Sequence, residues 1–413
     1  MTFYLVYFKN VRYVWVLFFF LIGCKKKEQI QNKLSTGVWR AELVIKEGVS
    51  LPFIFEIHHK NKWSFYNAQE TIIVDEISIK NDSVQVQFPV YEGYIKARIK
   101  DSVLTGHFIK PSLDRIVPFR ATLGKTKRFQ SKKPEVQLSG NWETVFSDQC
   151  DTCRYVAKGT FKQVEGVVTG TFRTTTGDYR YLEGVVSGDS LKLSTFDGAH
   201  AFLFEAVVTD STMQGTFYSG NHFEEPFYGK RNETFELADE DSLTYLKSGF
   251  NKFYFEFPDA NGKIISLDDP KFKNKVVLIQ ILGSWCPNCL DETKYYSSYY
   301  RNNKNDNLAF VGLAFEYAKT PEKAFKSIHR LTEKIKVPYP ILLAQYGTVD
   351  KKEAQKKVPM LNQVLSYPTS IFLDKQGVVR RIHTGFNGPA TGEKYTLFKK
   401  DFESFLTKLL QEE

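Results

Sequence analysis

The chain has 413 residues, 42% hydrophobic and 25% charged, a globular composition with room for two or three domains. Aromatic content is high at 15%, with 35 Phe and 22 Tyr, which favours strands over helices. The formal net charge of +9 is not gathered into a basic run interleaved with aromatics. Nucleic acid is therefore not an expected partner, and the surplus reads as a solvated surface with mild attraction for anionic membranes.

Five cysteines fall into two close pairs, Cys150/Cys153 and Cys286/Cys289, plus Cys24. Lys9 and Arg12 precede a short apolar run from Tyr13 to Ile22, followed by Gly23-Cys24. That layout reads as a secretory signal over residues 1–23, because the run is too short for the roughly 20 residues a bilayer core requires. Leu21-Ile22-Gly23-Cys24 resembles the lipobox of bacterial lipoproteins, which implies cleavage before Cys24 and lipid attachment to it. Residues 24–36, polar and lysine-rich, then form a tether. An uncleaved anchor or a plain secreted protein are the other readings of this segment. All three place the rest of the chain in the cell envelope or beyond, outside the cytoplasm, where cysteine pairs oxidise.

From Gly37 to about Lys230 the pattern is all-β. "SVQVQF" (83–88) and "SLKLSTF" (190–196) alternate apolar and polar residues as half-buried strands do. The region is also duplicated, as residues 37–126 and 138–231. "GVWRAEL" at Gly37 answers to "GNWETVF" at Gly140, "NDSVQVQF" at Asn81 to "GDSLKLSTF" at Gly188, and "KDSVLTGHF" at Lys100 to "TDSTMQGTF" at Thr209. Four Asp-Ser steps, at Asp82, Asp101, Asp189 and Asp210, sit where hairpin turns belong, since Asp accepts local backbone hydrogen bonds. The copies fit either two small β-domains or one larger sandwich or barrel.

The second copy carries Cys150-Asp151-Thr152-Cys153, whereas the first has "RAELVIKEGV" at this place. Outside the cytoplasm the pair reads first as a local disulfide closing a loop between strands. A second redox pair exchanging electrons with Cys286 is the alternative, and metal binding a third.

Residues 232–249 read as an acidic connector with some helical character. Beyond it strands and helices alternate, marking residues 250–413 as an α/β domain. "KVVLIQIL" (275–282) is a continuous apolar run suited to a buried parallel strand. "PEKAFKSIHRLTEKI" (321–335) has helical spacing after a proline start, "TSIFLDKQGVVRRIHTG" reads as a hairpin turning at Asp374 to Gly377, and "KKDFESFLTKLLQ" as an amphipathic helix.

Trp285-Cys286-Pro287-Asn288-Cys289 follows the apolar strand and opens a helix. A thiol at a helix N-terminus feels the positive end of the macrodipole and unpaired N–H groups, and both favour the thiolate. Cysteines with two residues between them fit one turn, with Cys286 as the attacking thiol at the exposed start and Cys289 as the resolving thiol. A zinc site would need four ligands, and no His or second Cys pair has finger-like spacing. A peroxiredoxin-type peroxidase would need a single Cys in a Pro-x-x-x-Thr-x-x-Cys context, which is not found.

Residues 250–413 resemble the thioredoxin fold, and within it the TlpA/ResA-like branch. The resemblance rests on "FPDANGKIISLDD", "KVVLIQILGSWCPNC", "YPTSIFLDKQG" and "HTGFNGPATG" in that order. It implies a cis proline at Pro368 facing the active-site sulfurs, and a client groove shaped by Trp285, Pro287, Tyr367 and Pro368. It also implies an acid–base carboxylate at Glu292, one helical turn past Cys289, against the plainer reading of a solvated helix side chain. Two positions depart from the wider family: Gln280 stands where thioredoxins carry a buried Asp, and Lys294 where they carry a helix proline. Glu316, just after an apolar strand, is a further candidate for tuning the cysteines, while adjacent His58-His59 have poor metal geometry.

The function expected on these grounds is a membrane-tethered, extracytoplasmic thiol–disulfide oxidoreductase, a reductase of protein clients. The resemblance implies a membrane electron donor. No cofactor beyond the Cys286–Cys289 disulfide and no metal are expected. The alternative is a binding or assembly lipoprotein whose duplicated β-region recognises a partner while the thioredoxin-like domain serves as a scaffold.

Overall fold

The computed structural model describes residues 34–412. The expected signal segment, Cys24 and nearly all of the tether lie outside them. Among the described residues, no helix is long and apolar enough to cross a membrane.

The first β-copy is a nine-stranded antiparallel meander whose first strand, Gly37–Lys46, pairs with its last, Arg115–Leu123. That pairing rolls the sheet until its two edges are Glu70–Val74 and Glu76–Lys80, neighbours in sequence around Asp75. Strict alternation drives the roll. In Tyr94–Lys100, Ile95, Ala97 and Ile99 are buried while Lys96, Arg98 and Lys100 face solvent. The enclosed core is aromatic, with Trp39, Phe53, Phe55, Trp63 and Phe65 each no more than 1% exposed. Asn81 and Asp101 take the left-handed conformation in two of the hairpin turns, where short polar side chains tolerate positive φ.

The second copy closes completely. Tyr155–Val164 pairs with both Gly140–Phe146 and Val167–Thr174, which joins eight strands into a ring, and the short strand Gly177–Asp178 pairs with the end of Val167–Thr174. The two sheets share a core rather than standing apart. Phe196 of the second copy stacks on Phe53 of the first at 4.2 Å between centroids. Its backbone N–H donates to Asn67 Oδ1 and its carbonyl accepts from Asn67 Nδ2.

Residues 232–249 form no helix; they run as an extended strap along the C-terminal domain. The reason is that this backbone bonds outward: Lys247 N donates to Met360 O, Tyr245 N to Asn362 Oδ1, and Thr384 N to Glu240 O. With those groups engaged across the domain boundary, intrahelical bonds have nothing left to gain.

The C-terminal domain has a five-stranded sheet in the order Ile341–Gln345, Leu308–Phe315, Val276–Leu282, Thr369–Leu373, Val379–Thr384. The first three strands are parallel and the last two antiparallel. Helices α1 (Pro287–Asn302) and α4 (Glu393–Gln411) pack on one face, where Tyr296, Phe402 and Leu406 meet Phe310 and Phe372. Helices α2 (Pro321–Ile335) and α3 (Lys351–Lys357) cover the other through Ala324, Ile328, Leu331 and Ala354. All seven residues of Val276–Leu282 are buried, so this strand is a fixed base from which the next turn projects.

Candidate active site

Gly283-Ser284-Trp285 leaves the buried central strand, and Cys286 caps helix α1. Its backbone is extended (φ −96°, ψ 116°), and its Sγ accepts the N–H of Cys289 at 3.2 Å. Pro287 occupies the first helical position, where its missing N–H costs nothing. The first helical bond runs from Leu290 N to Cys286 O. Cys286 and Cys289 form a disulfide with their Cα atoms 5.2 Å apart. Once reduced, the Cys286 sulfur would sit at the positive end of α1 with an N–H already aimed at it, an arrangement that stabilises thiolate.

The opposing loop supplies Tyr367 and Pro368, joined by a cis peptide bond. The Tyr367 carbonyl oxygen lies 3.4 Å from Cys286 Sγ. Trp285 is fixed by donating Nε1–H to Phe315 O at 2.9 Å, and its ring packs on Tyr317 and Tyr367. Glu316 is buried and accepts from both Ser284 N and Ser284 Oγ, at 2.7 and 2.8 Å. Burial pushes its carboxyl up to about 7, although the Ser284 bonds pull the other way.

Glu292 is 0% exposed, so it is not a solvated helix carboxylate. It accepts from Gln280 Nε2 at 2.7 Å, and from Tyr296 OH and Ser370 Oγ at 3.0 Å each. The Gln280 amide oxygen in turn accepts from Thr293 Oγ1, which also donates to the Cys289 carbonyl. Gln280 thus ties Glu292 to the turn that carries Cys289. Burial pushes the Glu292 carboxyl up to about 7; Gln280, His383, Tyr296 and Ser370 hold it lower than burial alone would.

A carboxyl raised in the folded state stabilises most when protonated, and its contribution falls as pH rises through the folded value. For Glu292 the window runs from about 4.3, the unfolded value, to about 7. The full swing is about 4 kcal/mol, since each pKa unit is worth about 1.4 kcal/mol. Glu292→Gln is therefore expected to flatten the decline in stability between pH 5 and pH 8 by about 2.5 kcal/mol, the part of the swing that falls above pH 5, leaving the share of Glu316. Urea midpoints of both proteins at those two pH values measure it; equal declines would contradict the burial argument.

The second β-copy reaches over this motif. A Cβ on Gly177 would fall 2.1 Å from Asn288 Nδ2, and its φ of +142° suits glycine alone. Asn288 Nδ2 donates to Asp178 O at 3.1 Å, and Arg180 Nη1 donates to Pro287 O at 3.1 Å while pairing with Asp291. Asp178 Oδ2 accepts Gly388 N, and Thr176 O accepts Ser366 Oγ. This cover leaves Cys286 only 6% exposed, where an exposed start to the turn was expected. Gly177, Asp178 and Arg180 were not found from sequence, because no local pattern marks a contact made more than 100 residues away.

What remains open is a cavity of about 890 Å³ between the barrel and the thioredoxin-like domain. Trp285, Cys286, Pro287, Asn288 and Tyr367 form one wall. Tyr155, Tyr179, Phe202, Phe217 and Phe223 form the facing one, and Cys153 lies on its rim loop. Pro368 is buried and does not line the cavity. Cys150 and Cys153 form a disulfide in the loop between Gly140–Phe146 and Tyr155–Val164. Among the described residues, no group of three or more His, Cys, Asp or Glu is placed to hold a metal ion.

A model of the AhpC/TSA family matches residues 252–382. Over 152 residues the chain is 30% identical to the thioredoxin-like protein YneN of Bacillus subtilis (strain 168), covering 37% of this chain and 74% of that protein. It is 25% identical over 140 residues to the thiol-disulfide oxidoreductase ResA of the same organism, 34% of this chain and 69% of ResA. Among solved structures, a thiol-disulfide oxidoreductase from Bacteroides fragilis NCTC 9343 matches 36% of this chain and 99% of its own, at 22% identity and a TM-score of 0.27.

Proposed function

Since the chain belongs to the thioredoxin-like thiol–disulfide oxidoreductases, we propose that it is an extracytoplasmic, membrane-tethered reductase of protein disulfides acting through Cys286 and Cys289. The observation that carries this reading is a cysteine pair capping α1 on the wall of a cavity of about 890 Å³. The Cys286 thiolate attacks a client sulfur, the client S–S bond breaks, and the second client cysteine leaves as thiolate and takes a proton. The Cys289 thiolate then attacks Cys286 Sγ and expels the first client sulfur. The client gains two electrons, and the pair closes as a disulfide.

In this reading Trp285, Pro287 and Tyr367 contact the client chain, and the aromatic wall of the barrel receives apolar side chains flanking the client cysteine. The β-region thereby serves the catalytic site rather than acting as a separate binding module. Buried Glu292 and Glu316 act as proton reservoirs near neutral pH, tied to the cysteine turn through Gln280 and Ser284. Location outside the cytoplasm and lipid attachment at Cys24 are supported by the signal-like segment that ends in Leu21-Ile22-Gly23-Cys24. There the oxidised pair would be recharged by a membrane electron donor. The electrons reside in the dithiol itself, so no cofactor is invoked.

Equilibration of Cys286–Cys289 in glutathione or dithiothreitol buffers tests the direction of transfer. A reductase is expected to lie nearer about −270 mV, the thioredoxin value, than about −120 mV, that of DsbA. A potential close to the latter would make the protein an oxidant and overturn this part of the reading.

A further inference from the structure

The Cys150–Cys153 disulfide has so far had no task. Its hairpin differs from its counterpart in the first β-copy, where Gly37–Lys46 and Val49–His59 are joined by the two residues Glu47 and Gly48. In the second copy the same connection is lengthened to the loop Ser147–Arg154, which carries the cysteines. The loop is already closed by its own backbone: Cys150 N donates to Ser147 O, Arg154 N to Cys150 O, and Ser147 N to Pro226 O, each at 2.9 Å. A disulfide spanning only two intervening residues also constrains the unfolded chain least. As a staple, the bond adds little.

Its placement suits another role. Cys153 is exposed and lies on the same cavity as Cys286, while Cys150 is half-buried behind it. The N–H of Cys153 points at Cys150 Sγ at 3.2 Å, the same contact and distance that Cys289 N makes with Cys286 Sγ. An attacker arriving through the cavity therefore meets Cys153 first, and the sulfur it expels, Cys150, has a donor waiting to stabilise it as thiolate.

We propose that Cys150–Cys153 is a second redox centre that exchanges electrons with Cys286–Cys289 within one chain, an inference that rests on the thiol-exchange reading of Cys286. In the half-reduced protein the Cys286 thiolate attacks Cys153 Sγ. The Cys150–Cys153 bond breaks, and its electron pair departs on Cys150, which takes up a proton. The Cys289 thiolate then attacks Cys286 Sγ, breaks the Cys286–Cys153 bond and releases Cys153 as thiolate, which is protonated in turn. Two electrons move from one pair to the other, and the two protons lost by the first dithiol balance the two gained by the second. The exposed loop has to swing across the cavity for the sulfurs to meet. Disulfide stored at the cavity rim would let the protein hold two oxidising equivalents, or pass them on, while the active pair is recharged.

The test uses the soluble full chain, oxidised and then given less than one equivalent of dithiothreitol. Samples are quenched at intervals with N-ethylmaleimide and the labelled cysteines identified by mass spectrometry, for the native sequence and for Cys286→Ser. Insulin reduction is followed in parallel. Opening of Cys150–Cys153 is expected to be at least about tenfold faster with Cys286 present, since tethering gives an effective concentration in the mM range. Once the Cys286 pair is reduced, transfer should not slow on dilution of the protein, and a Cys153–Cys286 linked peptide should form in the Cys289→Ser variant, where Cys286 still has the Cys150–Cys153 bond to attack. Equal opening rates with and without Cys286, or a Cys150–Cys153 bond that resists the reductant in both, overturns the relay. If insulin reduction persists in either of those cases, the reductase reading stands without the relay; if it is absent as well, both fall.

Discussion

Arg180→Met is expected to destabilise the protein by about 3–5 kcal/mol, the usual consequence of removing one partner from a buried charge cluster. The Arg180 side chain is 4% exposed and pairs with Glu70 from the first β-copy, Asp197 from the second, and Asp291 on helix α1. It also donates to the Pro287 carbonyl inside the Cys-Pro-Asn-Cys motif. One guanidinium thus joins all three folded parts of the chain at the active site. Burial already raises the Glu70 carboxyl, and Arg180 is the largest influence holding it down. Without the cation, three carboxylates share a dry space, and they must either take up protons or admit water. Denaturant unfolding of the variant at pH 7 measures the loss. Adding Asp291→Asn to Arg180→Met should recover part of it, because one stranded charge is gone. A single variant within about 1 kcal/mol of the parent, the typical worth of an exposed pair, would show that the cluster is solvated and the parts independently held.

How much of this could be seen in the sequence depended on the range of the interactions. Val276–Leu282 is buried on every side chain, so its apolar run carries its own signature, and the Gly-Ser-Trp-Cys-Pro turn follows within hydrogen-bond reach. The hairpins around Asp82 and Asp101 are equally local, since a turn residue answers to its own backbone. Three features had no such local sign. The connector 232–249 is acidic enough to suggest a helix, yet its peptide groups are claimed by Met360, Asn362 and Thr384. Glu292 reads as a surface carboxylate until Gln280, Tyr296 and Ser370 are seen converging on it from two strands and its own helix. Gly177 and Arg180, which cover the cysteines, meet Asn288 and Pro287 from positions more than 100 residues earlier. Two successive runs of strands were readable, but not that one would close into a ring while the other stays open at Glu70–Val74 and Glu76–Lys80.

The resemblance of the C-terminal domain to the TlpA/ResA-like branch and the relatives found agree on chemistry while leaving the β-region without a counterpart role. The structure brings that region to the reacting sulfurs. Its Gly177–Asp178 strand crosses the Cys-Pro-Asn-Cys motif, and its aromatic face encloses the approach to Cys286. Client selection in this protein is therefore expected to depend on the barrel wall as well as on Trp285 and Tyr367.

The second large effect concerns Cys286 itself. Cys289 is 1% exposed and lies behind Cys286 on the first turn of α1, so it cannot take over the first attack. Groups that act as a unit lose nearly the whole effect when the first is removed, which sets the expected fall in insulin reduction at about 10³-fold or more. Cys289→Ser should behave differently, completing one attack and then stalling as a mixed disulfide on Cys286. The most direct test is thus the insulin-reduction rate, with dithiothreitol as donor, of the soluble protein and its Cys286→Ser variant. Catalysis through Cys286 requires that the native protein accelerate reduction and that the variant fall to the rate of dithiothreitol alone. A variant as active as the native protein would contradict it.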